Sequence, residues 1–227
     1  MTSQKEIFLA SEADQWFIRN KKSYENTQDE IGPIIQSLID IEIAPKKVLE
    51  IGCSNGMRLN NFNKVFNSEC YGIDPSIQAI NNGKKEFPSI SLIVGSADAL
   101  PFDDNSFDMI VFGFCLYLCD RKDLFKIAFE ADRCLSANGV LVIMDFHPPF
   151  PYKNIYTHTE GVFSYKMNYS KMFSWNPSYN VIFNKIFSHS GFSKMHIPDE
   201  KVGITILNKN EEFAYPLEPY KRGGSTS

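Results

Sequence analysis

The chain has 227 residues, of which 43% are hydrophobic and 22% charged, and its net charge is −4. This length fits one domain, and an acidic chain without a lysine–arginine cluster lacks the charge expected for gripping nucleic acid. No apolar run approaches the roughly 18 residues that predict a membrane span, and the first residues lack the apolar core of a signal peptide.

Five cysteines stand at positions 53, 70, 115, 119 and 134. They form no CxxC pair, and no nearby histidine completes a set of metal ligands, so we expect no metal site. Cys115 and Cys119 lie in an apolar run, where buried thiols are expected. Free thiols predict a reducing, cytoplasmic compartment.

The N-terminal part, residues 1–45, is predicted to be a helical cap. Helices are expected over 15–24 and 31–41, with Gly32-Pro33 opening the second. From residue 46 the pattern predicts strands alternating with helices: strands at 48–51, 70–73, 91–94, 107–112 and 140–144, and helices at 57–66, 76–87 and 123–135, the last closed by Asn138-Gly139. Near-continuous apolar strands between helices indicate a parallel sheet covered on both faces.

The alternation stops at residue 147. Residues 148–180 predict an acceptor-binding lid insertion, and 181–220 the C-terminal part of the sheet. There we expect a helix over 179–190, strands near 192–197 and 202–208, and a flexible tail at 221–227. The predicted fold class is α/β: a doubly wound, mostly parallel seven-stranded sheet with an antiparallel C-terminal hairpin and an aromatic-rich lid insertion.

Ligands of open α/β sheets bind at the carboxyl ends of the strands. Those ends carry a glycine-bearing loop and several carboxylates, among them Glu50, Asp74 and Asp98. The loop does not match a P-loop, because Met57-Arg58 follows Gly56. It does not match the Gly-x-Gly-x-x-Gly turn of dinucleotide sites either, because Ser54 lies between Gly52 and Gly56. Acids beside the ligand favour a cationic or hydroxyl-rich molecule, and Asp74 is spaced to bind ribose hydroxyls, a feature shared with NAD enzymes.

Three segments, VLEIGCSNG, YGIDPS and GSADALPFDDNSFDMIVFGFCLYL, resemble class I S-adenosylmethionine-dependent methyltransferases over residues 46–145. The resemblance implies S-adenosyl-L-methionine as cofactor, with the glycine loop beneath its methionine part, Asp74 on the ribose and Asp98 on the adenine amino group. The cofactor-binding residues that it implies are Glu50, Gly52, Cys53, Gly56, Asp74, Pro75, Ala97, Asp98, Phe114 and Cys115. Trp16 and Arg19 are expected to close over the cofactor from the N-terminal helix, with packing of the helix on the sheet as the alternative for Trp16.

The stretch DFHPPFPY, residues 145–152, looks like the Asn-Pro-Pro-Tyr tetrapeptide of enzymes that methylate exocyclic amines. In those enzymes the tetrapeptide ends the fourth strand, whereas here it follows the fifth, so it does not indicate amine methylation. A hydroxyl acceptor is helped by a general base. The candidate catalytic residues at this rim are His147, Asp145 and Tyr117.

Aromatic side chains and lysines over residues 150–183 favour a sugar, nucleotide-sugar or phosphorylated surface-glycan precursor as acceptor, methylated on oxygen. The same aromatics would otherwise form the lid's own core or a dimer contact. The sequence therefore predicts a small-molecule methyltransferase of carbohydrate biosynthesis, monomeric or homodimeric, without nucleic-acid or membrane partners. Two alternatives remain: a nicotinamide-dependent oxidoreductase on a similar sheet, and a non-catalytic cofactor-binding protein.

Overall fold

The computed structural model describes residues 3–26, 31–212 and 214–216, and the predicted tail at 221–227 lies outside them. Seven strands form one sheet in the order β3-β2-β1-β4-β5-β9-β8. Their bounds are β1 Lys47–Ile51, β2 Glu69–Asp74, β3 Ser91–Val94, β4 Phe107–Gly113, β5 Leu135–Phe146, β8 Tyr179–Ser188 and β9 Lys201–Lys209. Strands β1 to β5 pair in parallel, and β9 pairs antiparallel with both β5 and β8, which confirms the predicted fold class.

Seven α-helices flank the sheet in the described part of the chain. They are α1 Gln4–Ile7, α2 Ala13–Asn26, α3 Pro33–Asp40, α4 Met57–Phe66, α5 Ile77–Glu86, α6 Leu124–Cys134 and α7 Lys171–Ser174, with a π-helical segment, Phe8–Glu12, between α1 and α2. Ser76 caps α5, because its hydroxyl accepts the Ala79 amide. None of these helices is long and apolar enough to cross a bilayer.

Two hydrophobic cores lie on opposite faces of the sheet. Side chains of α3, α4 and α5 pack with Val111 and Met144 on one face, and those of α6 and α7 pack with Phe112 and Ile143 on the other. Successive strand residues therefore alternate between two buried faces. This alternation explains why the parallel strands read as continuous apolar runs, and it decides below which side chains reach the site.

Residues 179–188 form strand β8, and the predicted helix over 179–190 is wrong. The error has a physical cause: the pairing of β8 with β9 shifts register between Val181 and Phe183. Such a bulge breaks the alternation of period two. It leaves Phe183 and Phe187 packed on the core, four residues apart, a spacing that also fits a helix face.

Two other predictions differ from the structure, one of a helix end and one of a strand. Helix α6 ends at Cys134 and β5 begins at the next residue, so Asn138-Gly139 does not close the helix. Asn138 instead has a φ of 63° where the pairing of β4 with β5 shifts register. The strand predicted near 192–197 is replaced by a 3₁₀ turn at Phe192–Lys194.

The segment between β5 and β8 holds a two-stranded hairpin, β6 Tyr152–Ile155 and β7 Phe163–Lys166, followed by α7. Its aromatic residues divide into two groups. Tyr169 and Phe173 are buried in the core on the α6 face, whereas Phe150 and Trp175 are exposed. Part of the predicted lid is thus an extension of the core, which anchors it to the sheet.

Candidate active site

A cavity of about 570 Å³ lies at the carboxyl ends of the central strands. That is the size of a small-molecule site. Of the predicted site residues, those lining it are Trp16, Glu50, Gly52, Cys53, Asp74, Pro75, Ala97, Asp98, Phe114, Cys115 and Tyr117. Arg19, Gly56, Asp145 and His147 are not among its lining residues.

The glycine loop after β1 forms the floor of the cavity. Gly52 has a φ of +75°, and a Cβ there would stand 2.5 Å from the Cβ of Cys115. Gly56 has a φ of +79°, and its amide donates to the Cys53 carbonyl at 2.9 Å. Both positions need a conformation that only glycine adopts without strain. Gly56 therefore shapes the loop without lining the cavity.

Glu50 and Arg58 form an ion pair at the edge of this floor. The Glu50 side chain is 2% exposed and that of Arg58 27%. Burial raises the pKa of Glu50, and the neighbouring Arg58 charge opposes the shift. Gly113 makes room for the pair, because a Cβ there would overlap Arg58 Nη1 and lie 2.8 Å from Glu50 Oε1. Sequence reasoning missed Arg58; its only local signal is a place in the first turn of the helix after the glycine loop.

Asp74 ends β2 and faces the loop. Its carboxylate accepts the Ser54 amide at 2.8 Å and the Ser76 amide at 2.9 Å. Burial raises the pKa of Asp74 to about 6, against the effect of these two hydrogen bonds. The amides fix the orientation of the carboxylate toward the cavity wall.

Asp98 is bound by a residue that the sequence did not single out. Lys5, on α1, donates to Asp98 Oδ2 at 2.6 Å, and the Ser96 hydroxyl donates to Oδ1 at 2.8 Å. Burial raises the pKa of Asp98, but these bonds outweigh burial and lower that pKa to about 2. Lys5 itself lines the cavity, so the N-terminal helix reaches across the predicted adenine site.

Arg19 points away from the cavity and holds the N-terminal helices to the insertion. It pairs with Glu12 and donates to the Tyr156 hydroxyl at 2.9 Å. Glu12 is buried and also accepts from the Tyr156 hydroxyl at 2.8 Å and from Thr159 at 2.5 Å. Glu12 lies in the π-helical segment, an irregularity often found at functional sites. Trp16, one helical turn further, lines the cavity.

The alternation of β5 turns Asp145 away from the cavity. Met144 and Phe146 line it, whereas the Asp145 carboxylate accepts the Phe146 amide at 2.7 Å and the Tyr117 amide at 3.3 Å. Burial raises the pKa of Asp145 to about 7, although these backbone bonds oppose the shift. Asp145 thus fixes the turn after β4.

His147 packs over β9 rather than beside the cavity. A Cβ at Gly203 would overlap its ring, and its amide donates to the Lys201 carbonyl at 2.8 Å. Burial lowers the pKa of His147, and the charges of Lys171 and Lys201 act in the same direction. The catalytic roles predicted for Asp145 and His147 stay predictions, and neither side chain lines the space where an acceptor fits.

The end of the cavity beyond β4 and β5 is aromatic. Phe114, at a φ of 59°, stacks edge-on against Phe146 at 5.7 Å between ring centroids and against His189 at 5.9 Å. Tyr117 contacts the other side of Phe146 at 5.1 Å. His189 also lines the cavity, and it was not among the residues predicted from the sequence to take part in catalysis.

The chemistry of the lining residues fits S-adenosyl-L-methionine. Glu50 Oε2 and the Ser54 hydroxyl are buried and have no hydrogen-bond partner within the described structure, and both residues line the cavity. An unpaired buried carboxylate oxygen and a hydroxyl are costly unless a ligand satisfies them. The ammonium and carboxylate of an amino acid would satisfy both, while Asp74 and Asp98 offer acceptors for hydroxyl and amino groups.

Residues 49–143 match the family described as "Methyltransferase domain". A demethylmenaquinone methyltransferase of Thermotoga maritima is 29% identical over 188 residues, which cover 79% of this chain and 75% of that protein. A protein of the same name from Renibacterium salmoninarum is 32% identical over 114 residues, covering 49% of this chain and 47% of the relative.

Solved structures share the fold. The Burkholderia thailandensis 1,6-didemethyltoxoflavin-N1-methyltransferase, crystallised with its acceptor and S-adenosylhomocysteine, superposes with a TM-score of 0.69 at 12% identity, covering 93% of this chain and 92% of that one. The relatives carry no support for the predicted sugar acceptor, since the names above refer to a quinone and a toxoflavin precursor.

Proposed function

We propose that this S-adenosylmethionine-dependent small-molecule methyltransferase takes an acceptor that carries a planar, hydroxylated aromatic ring of the quinol class. The observation that carries this proposal is the aromatic end of the cavity, where Phe114 and Tyr117 each contact the ring of Phe146. Flat rings bind flat rings by stacked or edge-on contacts. The demethylmenaquinone methyltransferases among the relatives support the same class of acceptor.

The charges around the cavity disfavour a phosphate-bearing acceptor. Lys5 and Arg58, the two cationic residues that line it in the described structure, are each paired with a carboxylate. In the insertion, Lys166 pairs with Asp199 at 2.8 Å and Lys153 lies over the ring of Phe163. None of the lysines that favoured a phosphorylated sugar, Lys153, Lys166 and Lys171, lines the cavity.

When bound, S-adenosyl-L-methionine supplies an electrophilic methyl group on a sulfonium. We propose that Glu50 and Ser54 hold its amino-acid end, that Asp74 holds the ribose hydroxyls and that Asp98 holds the adenine amino group. The partly negative floor favours a cationic ligand. Holding acceptor and methyl group in one enclosed space, with water excluded, supplies much of the acceleration in such transfers.

In our proposal, His189 takes the proton of the ring hydroxyl. Its ring contacts Phe114 at 5.9 Å, at the aromatic end of the cavity, and an imidazole is the side chain best suited to accept a proton near neutral pH. In transfer to oxygen, the cofactor would supply the methyl group to the ring oxygen, and the proton of that hydroxyl would leave on the imidazole of His189. The predicted oxygen acceptor is kept by this scheme, and NMR of the product distinguishes an O-methyl from a ring C-methyl.

The test is a panel of acceptors in one methyl-transfer assay. We expect transfer to short-chain demethylquinols kept reduced, and none to nucleotide-sugars or sugar phosphates. Phe146→Ala is expected to raise KM for the quinol about tenfold, because the removed ring contributes on the order of 1–1.5 kcal/mol in such contacts, while cofactor affinity is unchanged. Transfer to a nucleotide-sugar but to no quinol overturns the proposal.

Free thiols support action in a reducing compartment. The five cysteines form no disulfide among the described residues. We propose that the protein works in the cytoplasm, as the cysteine pattern predicted. A redox-sensitive thiol-labelling assay on freshly broken cells, showing all five thiols reduced, is the expected outcome.

A further inference from the structure

We propose that a surface beside the cavity docks on an anionic lipid membrane, from which the acceptor is taken. The rim surface consists of Phe150, Ile155, Phe192, Lys153 and Lys194. The inference rests on the proposed quinol acceptor, since a quinol with an apolar side chain partitions into lipid.

The two segments that carry the rim surface are held together next to the cavity. Asp199, seven residues beyond Phe192, accepts hydrogen bonds from the Tyr152 hydroxyl at 2.7 Å and from Asn154 at 2.8 Å, both on β6. The ring of Phe150 contacts that of Tyr152 at 5.9 Å. On the other segment, His189, which lines the cavity, precedes Phe192 by three residues.

The apolar members of the rim surface are unusually exposed. Phe192 is 92% exposed, Ile155 77% and Phe150 58%. Single exposed apolar residues are ordinary, but large ones grouped beside a binding cavity mark an interaction site. The far end of β6 also adjoins the cavity, because Tyr156 contacts Phe8, a lining residue, at 6.3 Å.

Charge identifies lipid as the partner. Residues 148–201 hold six lysines and three acidic residues, on a chain whose net charge is −4. Lys153 and Lys194 are exposed beside the rim aromatics. Aromatic side chains with neighbouring lysines bind the headgroup region of anionic membranes.

The test is sedimentation of the full chain with vesicles of phosphatidylglycerol and phosphatidylethanolamine, against vesicles of phosphatidylcholine alone. We expect binding to the anionic vesicles that weakens as salt is added. The double variant Phe150→Ser with Phe192→Ser is expected to bind these vesicles at least about tenfold more weakly, because two aromatic side chains no longer enter the interface.

A matched control uses two phenylalanines that are exposed on α6. Phe125 is 85% exposed and Phe129 60%, so Phe125→Ser with Phe129→Ser makes the same chemical change away from the rim surface. We expect vesicle binding within about twofold of the unaltered protein, a limit set by the small effect of surface substitutions. If both double variants lose vesicle binding equally, the rim surface is not the docking surface. A rim variant that binds vesicles normally but loses self-association also overturns the proposal.

Activity separates this inference from the function on which it rests. With a short-chain quinol in solution, the rim variant is expected to keep the unaltered kcat/KM, and with a long-chain quinol in anionic vesicles to lose most of it. Transfer to the soluble quinol without any vesicle binding overturns the docking surface and leaves the function intact. Vesicle binding lost in the rim variant, with no quinol methylated, supports the surface and refutes the function.

Discussion

Gly113→Ala tests the tightest packing in the site. A Cβ at this position would overlap Arg58 Nη1 and lie 2.8 Å from Glu50 Oε1. The main chain of β4 is held by β1 and β5 on either side, so the arginine rather than the strand has to move. The expected result is a Glu50 carboxylate, 2% exposed, that has lost its cationic partner.

The size of the effect follows from burial. Breaking a buried ion pair costs about 3–5 kcal/mol, because one charge is left uncompensated. Arg58 is 27% exposed, so solvent screens the pair in part, and we expect a loss of about 2–3 kcal/mol in the free energy of unfolding. Cofactor affinity is expected to fall as well, since both residues line the cavity.

Urea unfolding of the ligand-free protein measures the first effect and calorimetric titration with S-adenosylhomocysteine the second. Gly32→Ala serves as the control, because a Cβ there meets nothing within 4 Å, and it should cost less than about 1 kcal/mol. In a double-mutant cycle, Gly113→Ala should cost far less once Arg58→Ala has removed the guanidinium. Additive losses, or a Gly113→Ala variant as stable as Gly32→Ala, would refute the reasoning.

Three further outcomes follow from the site. The pKa of Asp145 is raised to about 7, against 3.8 in the unfolded chain, so between these values the folded protein binds a proton that the unfolded chain does not. The free energy of unfolding should therefore fall by about 2–3 kcal/mol as pH rises from 5 to 8. Asp145→Asn should flatten this pH dependence in urea titrations. Lys5→Met should tighten S-adenosylhomocysteine binding about fivefold, because it frees Asp98 from a charged hydrogen bond worth about 1 kcal/mol. Lys126 is more exposed and its amine lies 3.5 Å from the same carboxylate, so Lys126→Met should change this affinity little. Weaker binding by Lys5→Met would contradict the proposed adenine site. His189→Ala should lower kcat for quinol methylation about a hundredfold at unchanged cofactor affinity, whereas His147→Ala should change it less than about threefold; the reverse order would restore the base predicted from the sequence.

Much of the fold could be predicted from local patterns. Met57–Phe66 and Ser91–Val94 have the predicted bounds, because apolar periodicity and glycine loops mark such elements within a few neighbouring residues. The carboxylates Glu50, Asp74 and Asp98 were predicted from their places at strand ends, and all three line one cavity. Parallel strands bring their carboxyl ends to one edge whatever the details of packing, so topology alone assembles that set.

Contacts between distant segments lay beyond those patterns. The pairing of β8 with β9 overrides a helical spacing at Phe183 and Phe187, and the same sheet turns Asp145 toward the amide of Tyr117. Lys5 meets Asp98 across 93 residues of chain.

Sequence by itself determined the chemistry at the strand ends, since that depends on residue type and order. The tertiary structure decided which side chains line the cavity, through strand register and through the packing of the N-terminal helices. Register and packing are both set by the sum of many long-range contacts rather than by any local run of residues.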